Sequence, residues 1–504
     1  VSTRRTFLQA AAGAAALGDL RFLSRLPAVS AAESRGLSSK VQFRPEIEPL
    51  VRLMEETPRD RVIEEVALRV RRGTSYTDVL AALLLAGVRN IQPRPSVGFK
   101  FHAVLVVNSA HLASLASPDS DRWLPIFWAI DEFKASEARD EQEGNWTMAP
   151  ADESAAPPAD KARPSFIAAM QKWDEAAVDA AVPSLVRAHG GNELFELFAR
   201  FGVRDFRSIG HKAIYVANSW RTLHSIGWQH AEPVLRSLAY ALTNHQNEPN
   251  PADHDLAADR PFRKNQDRAR RIRADWLAGK PAESATRQLL SVLRSGSDDE
   301  ACESVVQLLN GGASPQSIYD ALFVGAGELL MRQPGIVALH AVTTTNAMRY
   351  IYESSGDDEL RRLTLLQNTA FLPLFREAMS GRGRVGDERI ESIEPAGNAT
   401  SPPELIGQIF HDVTADPSSA AQKVLAYLQA GHPPRDLIDA ARRLVFLKGN
   451  DSHDYKFSSA ALEDYHHASP RWRDLYLAST VFRLNGAAEP DNELVARIRE
   501  ALRA

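Results

Sequence analysis

Apolar residues recur at three- and four-residue spacing along most of the chain, and few stretches alternate apolar with polar positions as a half-buried strand does. The pattern predicts an all-α protein with little or no sheet. A longer period overlies the helical one. Pairs of helical stretches joined by glycine are predicted at 62–72 and 76–86 around Gly73, and at 176–188 and 194–201 around Gly190 and Gly191. Two further pairs fall at 301–309 and 316–323 around Gly311 and Gly312, and at 420–429 and 435–445 around Gly431. Glycine at such a point suits a left-handed residue that ends the first helix.

Each pair is followed by a short segment that opens on histidine: His102-Ala-Val-Leu-Val-Val-Asn108-Ser109, His211-Lys-Ala-Ile-Tyr-Val-Ala-Asn218-Ser219, His340-Ala-Val-Thr-Thr-Thr-Asn346-Ala347 and His453-Asp-Tyr-Lys-Phe-Ser-Ser459-Ala460. Another apolar helix then follows, over 123–133, 231–242, 363–375 and 472–482. The histidine recurs about every 110 to 130 residues, a period larger than a helix pair. The chain therefore reads as four related helical units of about four helices each, arranged as a solenoid or a closed ring. The units span 41–140, 165–245, 263–380 and 403–504. Polar, proline-bearing linkers at 141–164, 246–262 and 381–402 separate them.

Composition is that of a globular domain, with 44% hydrophobic and 24% charged residues in 504. A net charge of -5 and the lack of an extended basic face argue against nucleic acid as a partner. The basic run 268–273 reads as a solvated helix face. The opening residues read as an address: Arg4-Arg5-Thr6-Phe7-Leu8 resembles a twin-arginine export motif, followed by a small-residue run and a cleavage region near Ala28 to Ala31. Residues 1–40 are thus expected to be a signal peptide, and the mature protein to be periplasmic or extracellular with no membrane span. This route carries folded proteins, many of them already holding a cofactor. The single Cys302 excludes iron–sulfur clusters, thiolate copper sites, disulfides and covalent c-type haem, which leaves histidine, carboxylate and asparagine as ligands.

His102, His211, His340 and His453 are accordingly the candidate ligands for a divalent transition metal, iron or copper foremost. At a helix N-terminus the dipole disfavours imidazolium and keeps a lone pair available. No carboxylate recurs beside them in all four units. The alternative is structural: the histidines cap helices, and Asn108, Asn218, Asn346 and Ser459 satisfy buried backbone groups. In an open stack, equivalent positions lie on the order of 10 to 20 Å apart and share no ion; a closed ring lets them converge.

The second unit carries the most candidate chemistry. His211, Tyr215 and Asn218 share one helix face, with His224, His230 and His245 nearby. Tyr215, Asn218 and His230 are the candidate catalytic or substrate-contacting residues, with His224 read as structural. The run Gly210-His211-Lys-Ala-Ile-Tyr-Val-Ala-Asn218, continued by Leu223-His224-Ser-Ile-Gly227-Trp228-Gln-His230-Ala231-Glu232, resembles helical-repeat regions of proteins that carry a Rieske iron–sulfur module. More distantly it resembles the questin-oxidase-like proteins. One cysteine cannot build a Rieske module, so electron transfer would need a partner protein or another cofactor; the second resemblance implies an oxygenase.

No phosphate-binding loop, His-Glu-x-x-His helix, Gly-x-Ser-x-Gly elbow or recurring carboxylate pair is present in the sequence. His466-His467 reads as a polar turn. Two functions follow as expectations: an exported metal-dependent oxidoreductase acting on a small organic substrate held between the units, or a cofactor-free scaffold binding a protein or glycan. The export reading has a direct test. Changing Arg4 and Arg5 to lysine is expected to leave the precursor inside the cell, and unchanged export on cell fractionation would refute that route.

Overall fold

Four helices buried on nearly every side occupy the centre of the molecule: His102–Leu115, His211–Ile226, Ile336–Ser354 and Ser452–His467. Their sequences explain the position. Ile336–Ser354 buries every residue from Val337 to Met348, and a helix with no polar face must be surrounded by others. The computed structural model describes residues 39–93, 99–243, 249–250, 253–396 and 401–503. The export motif and His245 lie outside them. Among the described residues the chain is all-helical, with 22 α-helices and no strand; Lys280 and Ala313 form one isolated bridge. Residues 41–504 form one unit.

The contacts among helices follow the same order four times. In each unit the first helix of the glycine-joined pair packs on the helix after the histidine helix, and the second packs on the histidine helix itself. The last helix of each unit also packs on the second helix of the preceding pair, and in the first unit that partner belongs to the fourth. The histidine helices contact one another in sequence, with Ser452–His467 returning to His102–Leu115. This is the contact order of a closed ring. The C-terminal helix Leu494–Arg503 packs on Arg59–Arg71 of the first unit, where Arg497 pairs with Glu64 at 2.7 Å and Arg71 donates to the Ala501 carbonyl.

Several details differ from the sequence reading. Each unit has at least five helices, because Glu48–Glu56, Ala159–Lys172, Glu283–Ser295 and Pro402–Ala415 precede the glycine-joined pairs, and Arg260–Arg271 and Leu494–Arg503 add a sixth to the third and fourth. The helix Ala159–Lys172 begins inside the predicted linker 141–164. The left-handed glycine is found at Gly73, Gly312 and Gly431. In the second unit Gly190 instead has φ -73° and stands at the start of Gly191–Gly202. The basic run lies largely on Arg260–Arg271, where Arg268 and Arg271 pair with Asp299 and Glu303 of the neighbouring helix. His466 and His467 end a helix and do not form a turn. No described helix is long and apolar enough to cross a membrane.

The asparagine position of the repeat interlocks the ring. Asn218 Nδ2 donates to the Leu105 carbonyl at 2.9 Å, and Arg221 donates to Asn346 Oδ1 at 3.0 Å. Asn346 Nδ2 donates to Asp464 Oδ1 at 2.8 Å, and Ser459 donates to Ser109 at 2.9 Å. All four junctions between histidine helices thus carry a side-chain hydrogen bond, and buried ones of this kind are costly to leave unmade. Burial pushes the carboxyl of Asp464 up to about 8, against an ordinary 3.8. The native state therefore keeps a proton that the unfolded chain releases near pH 4, and this group lowers stability as pH rises across that window. Asp464→Asn, which stays neutral, is expected to raise the thermal midpoint relative to wild type more at pH 8 than at pH 4.5. An equal difference at both values would show that Asp464 is ionised in the native state.

Candidate metal centre

Three of the four recurring histidines present the same nitrogen to one point. His102 and His211 are the first residues of their helices, whereas His340 lies one turn inside Ile336–Ser354, a correction to its expected N-terminal place. Each ring is oriented by its own backbone. Nδ1 donates to the Phe99 carbonyl at 2.8 Å from His102, to the Ser208 carbonyl at 2.7 Å from His211, and to the Ile336 carbonyl at 2.6 Å from His340. A carbonyl only accepts, so Nδ1 carries the proton and Nε2 of each neutral ring is left with a bare lone pair.

Those lone pairs face one another. Nε2 of His211 lies 3.0 Å from Nε2 of His102 and 3.0 Å from Nε2 of His340, and the three ligand atoms all fall within 4.8 Å of one another. Burial holds His102 and His340 well below the ordinary imidazole range, and the nearby charge of Lys456 acts in the same direction. A ring-to-ring hydrogen bond would need one of them protonated. Transition-metal–imidazole bonds of about 2.0–2.1 Å place ligand nitrogens about 2.9–3.4 Å apart for bond angles between square and tetrahedral. The three histidines therefore fit an ion.

His453 stands beside this set without joining it. Its ring centroid is 4.4 Å from that of His102 and 5.3 Å from that of His340, yet its nitrogens are not among the three mutually close ligand atoms. Local structure explains the difference. Asp451 is the N-cap of Ser452–His467, and it accepts from both the His453 amide and Nδ1, at 2.7 and 2.6 Å. These two bonds draw Asp451 down to about 2. The fourth unit thus orients its ring with a carboxylate where the others use a carbonyl.

The approach to His211 is built under constraint. Asp205 accepts from buried Lys212 at 2.8 Å, and Arg207 is held by Asp259 and the Pro249 carbonyl. The segment then turns through Ile209 at φ 43° and Gly210 at φ 83°. A side chain on Gly210 would come within 1.9 Å of Thr344 on the His340 helix, so only glycine lets the two helices approach this closely. Phe99, before His102, also has a positive φ of 52°. Such backbone costs about 1–3 kcal/mol per residue and gathers at functional sites.

All four histidines line one cavity of about 640 Å³, together with Phe99, Ile209 and Ile336, Glu132 and Asp451, and Arg139, Arg207 and Arg382. Tyr215, Asn218 and His230 are not brought to it. The Tyr215 hydroxyl donates to Ser237 at 2.9 Å in the core, and its ring meets Phe101 edge-on. Asn218 ties two helices together, and His230 ends a short 3-10 helix. His224 is exposed. Sequence reasoning missed Asp451, although the spacing Asp451-Ser-His-Asp454 is an N-cap signal. It also missed Glu132 and Arg139 on Leu124–Glu143, and Arg207 and Arg382 elsewhere in the chain, which carry no common motif. Comparisons with protein-family models, with curated proteins and with solved structures found no match.

Proposed function

We propose that the protein is an exported, metal-dependent oxidoreductase, in the manner of an oxygenase, that acts on a small organic substrate in the cavity over the histidines. The observation that carries this reading is the convergence of three Nε2 lone pairs from three units, each fixed by a carbonyl behind it. In the scaffold alternative, equivalent histidines have no reason to meet.

His102, His211 and His340 hold the ion. An all-imidazole set suits copper, iron, nickel or zinc. Iron or copper is favoured by the resemblance of the His211–Glu232 region to oxygenase-like proteins, and such an ion supplies one-electron and oxygen chemistry. The chain's own residues then have separate tasks. Ile209 and Ile336, both half-buried, limit water around the reacting position. The Nδ1–carbonyl hydrogen bonds fix tautomer and ring direction, as partners behind metal-bound histidines do. Asp451 fixes the His453 ring at the side of the centre. Electrons reach the site from the substrate or from a redox partner protein.

Protein purified without a histidine tag is expected to contain close to one equivalent of iron or copper by elemental analysis. His211→Ala should weaken metal binding by on the order of 100-fold or more, since loss even of a group behind a ligand costs 10–100-fold. His466→Ala, outside the repeated position, should leave the content unchanged. Wild-type protein that stays metal-free after reconstitution with each candidate ion would overturn the reading.

A further inference from the structure

We infer that the cavity over the histidines selects an amphipathic organic anion, a carboxylate on an apolar body, as its ligand. This deepens the proposed function by naming a substrate class, and it rests on that reading only for the place where chemistry occurs. The cavity wall carries both acids and guanidinium groups. Asp451 is engaged by the His453 ring and amide. Glu132 accepts from Ser452 at 3.1 Å, and burial shifts its carboxyl upward, toward the neutral form. Arg207 is neutralised by Asp259. Arg139 and Arg382 have no ion pair among the described residues. Two guanidinium groups are thus left without a carboxylate on a wall whose two acids are engaged within the protein.

A buried amine near the histidines adds to this field only in part, because burial draws Lys456 down to about 7. Lys456 is 3% exposed, one turn along the helix from His453, and its Nζ has no hydrogen-bond partner. Its charge is felt at His102, His340 and His453. A buried amine without an acceptor is unfavourable by itself, and an anion in the cavity offsets that cost through space.

The apolar half of the ligand is read from three further lining residues. Phe99, Ile209 and Ile336 each lie two to four residues before the histidine of their unit, and all three line the cavity. The first two do so from positive-φ backbone. A volume of about 640 Å³ holds a small organic molecule beside the histidines. Guanidinium groups are the side chains best matched to a carboxylate, through paired N–H donors.

Benzoate, benzyl alcohol and benzylamine, which share an aromatic body and differ in charge, separate the possibilities. Calorimetric titration of the chelator-treated, metal-free protein is expected to show benzoate binding at least about tenfold more tightly than either analogue, the size of a charge-assisted hydrogen bond. In the Arg139→Gln, Arg382→Gln double variant that preference should fall to about twofold, with benzyl alcohol unchanged. Both positions are exposed, so the variant is expected to fold, and an unaltered thermal midpoint checks this. Equal binding of benzylamine and benzoate, no binding of any of the three, or a preference that survives in the double variant would each overturn the inference. The metal reading fails separately: benzoate selectivity in a protein that never takes up metal would leave an anion-binding cavity without redox chemistry.

Discussion

Ring closure is the constraint on which the rest of the structure depends. The helices Ser452–His467 and His102–Leu115 must meet across most of the chain's length, and only then do equivalent positions in separate units come within a few ångströms of one another. The joint is covered twice. Ser459 bonds Ser109 inside the ring, and the C-terminal helix packs on the first unit outside it. A repeat protein that closes this way turns one residue per unit into a cluster, without requiring any unit to contain a site by itself.

The second element is the partner behind each imidazole. A ring in the first turn of a helix can turn its Nδ1 onto a carbonyl three or four residues upstream, and at His211 that carbonyl also accepts from the residue's own amide. Three units use this device, so each histidine brings its own second hydrogen bond and the same nitrogen points inward. In the fourth, Asp451 takes the carbonyl's place and the ring settles outside the close set. The ring bonded to a carboxylate stays in the cavity wall, and the three bonded to carbonyls make the close set.

Much of this was legible in the chain. Helical periodicity, the glycine caps at Gly73, Gly312 and Gly431, and the four equivalent histidines follow from local spacing, which one sequence displays. Convergence does not, because it is decided by contacts between residues more than a hundred positions apart. Tyr215 marks a different limit. It shares a helix face with His211, but it sits one turn deeper along the ring axis, so its hydroxyl meets Ser237 in the core and not the cavity. Sharing a face fixes direction; depth depends on where the helix begins.

His340 illustrates the same point in reverse. Its helix starts a full turn earlier than those of His102 and His211, yet its Nε2 reaches the same position because its Nδ1 reaches back four residues, to Ile336, where the others reach back three. The ring tolerates different helix starts provided that the imidazole keeps a carbonyl behind it and an open centre before it. What the four units hold in common is therefore less a helix boundary than a hydrogen bond. The apolar residues just upstream in the first three units, Phe99, Ile209 and Ile336, follow from that geometry: the short segment that supplies the carbonyl also faces the cavity, and its side chains become the wall.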